Sequence, residues 1–161
     1  MKISKFKVVV LALSISFIPF VPAHAATKYP SKIISLSPSA TEDLFALGAG
    51  KQVIAVDDNS NYPSEAPISK LSSFNPNVEA IAKYKPDLVI IQNTATKSAA
   101  VVKQLQSLKI ATYIEKTPSD LDGLFKELTD LGGLTGKQTK AKMVINTIKV
   151  ARLTAIAGAK K

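Results

Sequence analysis

Four short runs rich in isoleucine and valine punctuate the chain after residue 30: Lys32-Ile33-Ile34-Ser35-Leu36, Gln52-Val53-Ile54-Ala55-Val56, Asp87-Leu88-Val89-Ile90-Ile91 and Ile110-Ala111-Thr112-Tyr113-Ile114. Runs of this length and composition predict buried β-strands. Helical spacing lies between and after them: Ser39 to Leu47 with Gly48 as C-cap, Asn77 to Tyr84 stopped by Pro86, Lys97 to Leu108, and Ser119 to Leu131 ahead of a turn at Gly132-Gly133. Ser119 and Asp120 are the N-cap candidates of the last of these. Strand and helix alternate at a spacing that implies right-handed crossovers, hence an α/β domain on an open parallel sheet with flanking helices. The exception is the stretch from Asp57 to Asn75, dense in Asn, Ser, Pro and Asp, which reads as a functional loop excursion.

The two ends differ from this pattern. Lys2, Lys5 and Lys7 precede an apolar run from Val8 to Val21 and then Ala23-His24-Ala25. That order is a secretory signal peptide over residues 1–25, cleaved after Ala25, because the run is shorter than the roughly 20 residues a membrane helix needs. At the other end, a helix from Gly136 to about Ala157 carries an apolar stripe of Val144, Ile148, Ala151 and Ala155.

Charge and composition narrow the chemistry. The net +9 of the 161 residues suggests a nucleic-acid partner until it is divided: residues 26–130 hold 11 Lys against 12 Asp and Glu, and residues 131–161 hold six Lys and Arg152 with no acid. The body is balanced, and the basic helix reads as a solvated face, so no nucleic acid is expected. There is no cysteine, and the single histidine, His24, leaves with the leader. A Ser-His-Asp triad, a Cys nucleophile and a His- or Cys-ligated metal are thereby excluded, no G-x-S-x-G elbow exists, and the expectation is no enzyme, no cofactor and no metal site. Gly48-Ala49-Gly50 ends a helix where a dinucleotide fingerprint opens one. Gly132-Gly133-Leu134-Thr135-Gly136-Lys137 follows a helix where a phosphate loop follows a strand, and Gln138 stands where Ser or Thr is required. Asp57-Asp58 are adjacent at a strand end and point apart, which favours a turn cap over a carboxylate pair.

In an open parallel sheet the ligand meets the loops at the carboxyl ends of the strands. Here these are Ser37-Pro38-Ser39, Asp57 to Pro63, Gln92-Asn93-Thr94 and Glu115-Lys116-Thr117-Pro118. They are rich in hydroxyls and amides and include Tyr62, an inventory for binding a polar solute rather than for acid–base catalysis.

Four stretches in register carry a resemblance: Lys32 to Gly50 with its Ser35-Leu36-Ser37-Pro38-Ser39-Ala40-Thr41-Glu42 core; Asn61-Tyr62-Pro63; Phe74-Asn75-Pro76-Asn77-Val78-Glu79-Ala80-Ile81 leading to Tyr84-Lys85-Pro86-Asp87-Leu88-Val89-Ile90; and Leu131 to Lys137. Together, over residues 31–150, they resemble class III periplasmic binding proteins, the iron-siderophore and cobalamin type that feeds ABC importers. The resemblance implies a Rossmann-like N-terminal solute-binding lobe at residues 26–135 and the start of the inter-lobe connecting helix at 136–161, with the C-terminal lobe absent. It implies solute-facing groups at Ser37, Pro38, Asn59, Tyr62, Phe74, Gln92 and Asn93, and matches Glu79 to a lobe-surface glutamate that docks on permease arginines. Asn59 and Gln92 stand where cobalamin-binding members place aromatic rings, which moves the expected solute towards a ferric siderophore or another metal chelate. The implied partners are an ABC importer permease and a small metal chelate, siderophore or corrinoid, in the periplasm or cell envelope, with membrane contact only through the permease. The competing expectation is a secreted single-lobe interaction module that docks an acidic partner through its basic C-terminal helix.

Overall fold

The structure, a computed structural model, describes residues 29–93 and 98–159. The expected leader, Thr94, Lys97 and the last two lysines lie outside the described residues. The elements run β1 (Ile33–Leu36), α1 (Pro38–Ala46), β2 (Val53–Val56), α2 (Val78–Lys83), β3 (Leu88–Gln92), α3 (Ser98–Ser107), β4 (Ala111–Glu115), α4 (Leu121–Thr135) and α5 (Gln138–Ala159). The four strands form one parallel sheet in the order β2-β1-β3-β4. The order reverses between β1 and β3, which places the crevice of a doubly wound sheet at their carboxyl ends.

Alternation along the strands divides the core in two. Ile33, Leu88 and Ile90 meet Leu44 of α1, Leu128 and Leu131 of α4 and Ala141 of α5 on one face. Ile34, Leu36, Val89 and Ile91 meet Ile81 of α2 and Val101, Val102 and Leu105 of α3 on the other. Successive residues of a strand point to opposite faces, so both faces of β1 and β3 are apolar because both are covered.

Side-chain caps set the helix starts. Ser37, Asn77 and Asp120 each accept a hydrogen bond from the backbone N–H three residues on, relieving donors that a first turn leaves unpaired. At the amino edge of the sheet the Asp87 carboxylate accepts from the Ser31 N–H and hydroxyl and the Lys32 N–H at 2.8–2.9 Å, and these bonds, those from Ser31 first, hold its carboxyl below the ordinary value.

Three expectations are corrected. Gly132 and Gly133 form no turn; they lie inside α4, which ends at Gly136 in the left-handed region with φ 75°. The C-cap Gly136 N–H and the Lys137 N–H both donate to the Gly132 carbonyl. Gly132 is small because α5 crosses it: a Cβ there would sit 2.7 Å from the Ala141 Cβ. β4 is not buried like the other strands: Ala111 and Ile114 are exposed, whereas β2 at the opposite edge of the sheet is covered. Along α5, Val144 and Ile148 pack on the core with Ile145, but Ala151 and Ala155 are exposed.

Candidate functional site

Parallel pairing brings the carboxyl ends of all four strands to one edge, and the expected solute loops start there. Asp57 and Asp58 separate as expected: Asp57 is buried and accepts the Ser60 hydroxyl, while Asp58 is exposed. The excursion that follows is tied back by a parallel bridge between Asp57 and Leu71 and by the Ser69 hydroxyl on the Val56 carbonyl. Beyond those ties its apolar side chains stand in solvent: Tyr62 is 65% exposed, Phe74 70%, and Ile68 wholly so.

The expected solute-facing residues fall into two groups. Asn59 and Asn93 are exposed and Pro38 and Gln92 half-buried, so with Tyr62 and Phe74 they retain surface to offer. The Asn59 amide donates to Asp58 at 3.1 Å and the Gln92 amide to the Thr117 hydroxyl at 3.4 Å, which leaves both side-chain carbonyls open. Ser37 is different. It has no exposed surface, its oxygen caps α1, and its hydroxyl donates to Glu115 Oε2 at 2.9 Å. The geometry gives Ser37 an organising role at the corner between β1 and α1. Glu79 is exposed in the first turn of α2.

Beneath this edge runs a buried polar chain that local sequence patterns did not reveal. The Thr41 hydroxyl lies within hydrogen-bonding distance of Ser35 Oγ, the Ser37 carbonyl and Ser60 Oγ at 2.8–3.1 Å, and Ser60 passes the chain to Asp57. On the other side, the hydroxyls of Ser37 and Ser39 donate to the two oxygens of Glu115, at 2.9 and 3.1 Å. Glu115, the last residue of β4, is fully buried, and Glu127 of α4 is 4% exposed. Burial first, then the charges of Glu115 and Asp43, push the Glu127 carboxyl up to about 8. Burial, with the charges of Glu115 and Glu42, pushes Asp43 of α1 up to about 6. Tyr113 is raised to about 12 by burial and by Asp130, to which its hydroxyl donates at 3.3 Å. The signal for Glu127 lay in spacing: it falls between Leu124, Leu128 and Leu131, on the stripe that α4 turns inward. Among the described residues no group of three or more His, Cys, Asp or Glu side chains could hold a metal ion, and no helix is long and apolar enough to cross a membrane.

Comparison with known proteins places this geometry. The model of the family described as periplasmic binding protein matches residues 33–158. The chain belongs to the periplasmic binding protein family. Members of this family bind ligands and are not enzymes. One similar periplasmic binding protein is an uncharacterized ABC transporter substrate-binding lipoprotein of Bacillus subtilis, 34% identical over 76% of this chain and 40% of its own length. Another is a vitamin B12-binding protein of Pectobacterium carotovorum, 35% identical over 65% of this chain and 39% of its own. Among solved structures, a possible iron-binding periplasmic solute-binding protein from Staphylococcus epidermidis superimposes with a TM-score of 0.69 at 30% identity, over 76% of this chain and 48% of that one. The periplasmic vitamin B12 binding protein of Vibrio cholerae does so with a TM-score of 0.67 at 26% identity, over 78% and 49%. The chain thus spans two fifths to one half of the length of these periplasmic binding proteins.

Proposed function

We propose that this chain is the N-terminal solute-binding lobe of an ABC uptake receptor that works outside the cytoplasm, in the periplasm or cell envelope, after loss of residues 1–25. Its proposed solute is a metal chelate, siderophore-like or corrinoid, held on the crevice edge by Pro38, Asn59, Tyr62, Phe74, Gln92 and Asn93. The observation that carries this reading is the pair of exposed rings, Tyr62 and Phe74, on an excursion anchored at the strand ends among open amides. Such a mixture suits a ligand with apolar flanks and a polar rim. The alternative of docking through the basic C-terminal helix finds less support. At 100° per residue Lys142, Lys149 and Arg152 share one side of α5 and Lys140 lies apart, and Lys149 sits over the Phe125 ring, 5.0 Å from its centroid, which leaves two basic side chains on that side for such a partner.

A single lobe covers one side of a solute, well short of the 70–90% burial of tight sites. Titration of this chain with a ferric hydroxamate siderophore, haemin and cyanocobalamin is expected to show micromolar or weaker binding to at least one of them. The double variant Tyr62→Ala/Phe74→Ala is expected to weaken that binding at least tenfold. Binding to none, or an affinity indifferent to the two rings, overturns the reading.

Glu79 is the proposed permease-docking residue, supported by its exposure and by the match of its helix start to the family pattern. In a chain carrying both lobes, Glu79→Ala is expected to leave solute affinity and the thermal midpoint unchanged and to reduce uptake several-fold. Solute affinity lost together with uptake would place Glu79 in the solute site instead.

A further inference from the structure

The edge proposed for the solute carries an uneven charge. Its described loops and the excursion hold the acids Asp57, Asp58, Glu65 and Glu115 against Lys70 and Lys116, and with Lys97 of the β3–α3 connection added the acids still exceed the lysines. Arg152 is the only arginine in the sequence and lies on the exposed part of α5. The forked donor that suits planar oxyanions therefore has no place on this edge. Nor are the acids neutralised from within the lobe. Among the described residues the ion pair is Lys126 with Asp130 at 2.5 Å. Asp57 accepts the Ser60 hydroxyl and Glu115 the hydroxyls of Ser37 and Ser39, all uncharged donors, and Asp57 Oδ2, in a residue 2% exposed, meets no donor. Lys116 borders the cavity between β4 and α4, whose wall also includes Glu127 and Asp130.

Asp58 is placed where a solute would meet it. Its N–H donates to the Leu71 carbonyl at 2.8 Å, which closes the excursion at its base. Asp58 thus stands where the chain leaves towards Tyr62 and where it comes back, three residues short of Phe74. Its carboxylate is exposed, with Oδ1 accepting the Asn59 amide at 3.1 Å. Both exposed rings add to the same preference, because the face of an aromatic ring attracts a cation.

We infer, on the reading that this edge holds a metal chelate, that it selects chelates of positive or zero net charge over polyanionic ones, and that Asp58 sets the preference for a cationic arm. Ferric tris-hydroxamates answer to this description. Three singly charged hydroxamates cancel the charge of ferric iron, their carbon chains offer apolar flanks to Tyr62 and Phe74, and amide groups along those chains meet the open carbonyls of Asn59 and Gln92. An amine on such a ligand adds one positive charge. A ferric tris-catecholate keeps three negative charges, which this edge repels and no arginine receives.

The test compares ligands that differ in charge. Ferrioxamine B carries a terminal ammonium, N-acetylferrioxamine B is the same chelate without that charge, and ferric enterobactin is the tris-catecholate. Titrated into this chain at low salt, ferrioxamine B is expected to bind about threefold more tightly than its N-acetyl derivative, and ferric enterobactin at least about tenfold more weakly than either. Higher ionic strength is expected to shrink both ratios. Asp58→Asn keeps a side-chain carbonyl for the Asn59 amide and removes the charge, and it is expected to bring the two ferrioxamine affinities together. Ferric enterobactin bound as tightly as the hydroxamates, or a ferrioxamine difference that persists in Asp58→Asn, overturns the charge preference while leaving the solute edge in place. Binding of none of the three, or binding indifferent to Tyr62→Ala/Phe74→Ala, overturns the solute edge itself and the preference with it.

Discussion

Leu131→Ala is expected to cost about 2–5 kcal/mol of folding free energy, read as a lowered denaturation midpoint in urea. Leu131 has no exposed surface and sits where α4 meets the sheet, in one cluster with Leu44, Leu128, Ile33 and Ile90. Removing three carbons there takes away their transfer free energy and leaves a space that neighbours on two layers cannot close together. Against a typical total of about 5–15 kcal/mol, this is a large part of the stability. Leu153→Ala is the control, because Leu153 on the distal part of α5 is 67% exposed, and its expected effect is within about 0.5 kcal/mol. Equal effects at the two positions would mean that α5 and not α4 closes this face.

The neighbouring position fails in the opposite direction, by excess volume. Gly132→Leu is expected to destabilise by about 3 kcal/mol, since even a first carbon at Gly132 would lie 2.7 Å from the Ala141 Cβ and 3.4 Å from the Lys137 carbonyl oxygen. None of these atoms is the tip of a flexible chain, so α4 and α5 must part. Gly133 is the paired test. It is in the same helix with nothing within 4 Å of an added Cβ, so Gly133→Ala is expected to stabilise by up to about 1 kcal/mol through helix propensity alone. Thermal melts of the two variants should move to opposite sides of the parent. A Gly132→Leu melt close to that of Gly133→Ala would show that the helices do not touch there.

The contrast between these glycines also explains what the sequence could and could not disclose. β1, β2 and β3 were legible because a strand covered on both faces must be a continuous apolar run, and Asp120 was legible as a cap because capping is local, while Ser37 and Asn77 took that role only in the structure. β4 shares their composition but is left partly uncovered at one edge of the sheet while β2 at the other edge is buried, a difference in covering that no window of residues contains. A double glycine is a turn signal locally; here its first member answers to α5, nine residues further on. The loop residues of the crevice could be listed from strand ends alone, yet Ser37 proved to be spent on Glu115. The hold of Glu115 on Ser37 and Ser39 was hidden for the same reason: it exists only once the end of β4 and the start of α1 are brought together.

The seating of α5 has a mechanical consequence. The helix is held from Ala141 to about Lys149 and exposed beyond, which makes it a cantilever with its root at Gly132. From Ala141 to Ala159 is about 27 Å at the rise of an α-helix, so each degree of tilt at the root displaces the tip by about 0.5 Å. A root made of a glycine and an alanine has no rotatable side-chain bond through which that tilt could vary. The direction of the exposed part beyond Lys149 is therefore set by that close contact together with the packing of Val144, Ile145 and Ile148 on the core.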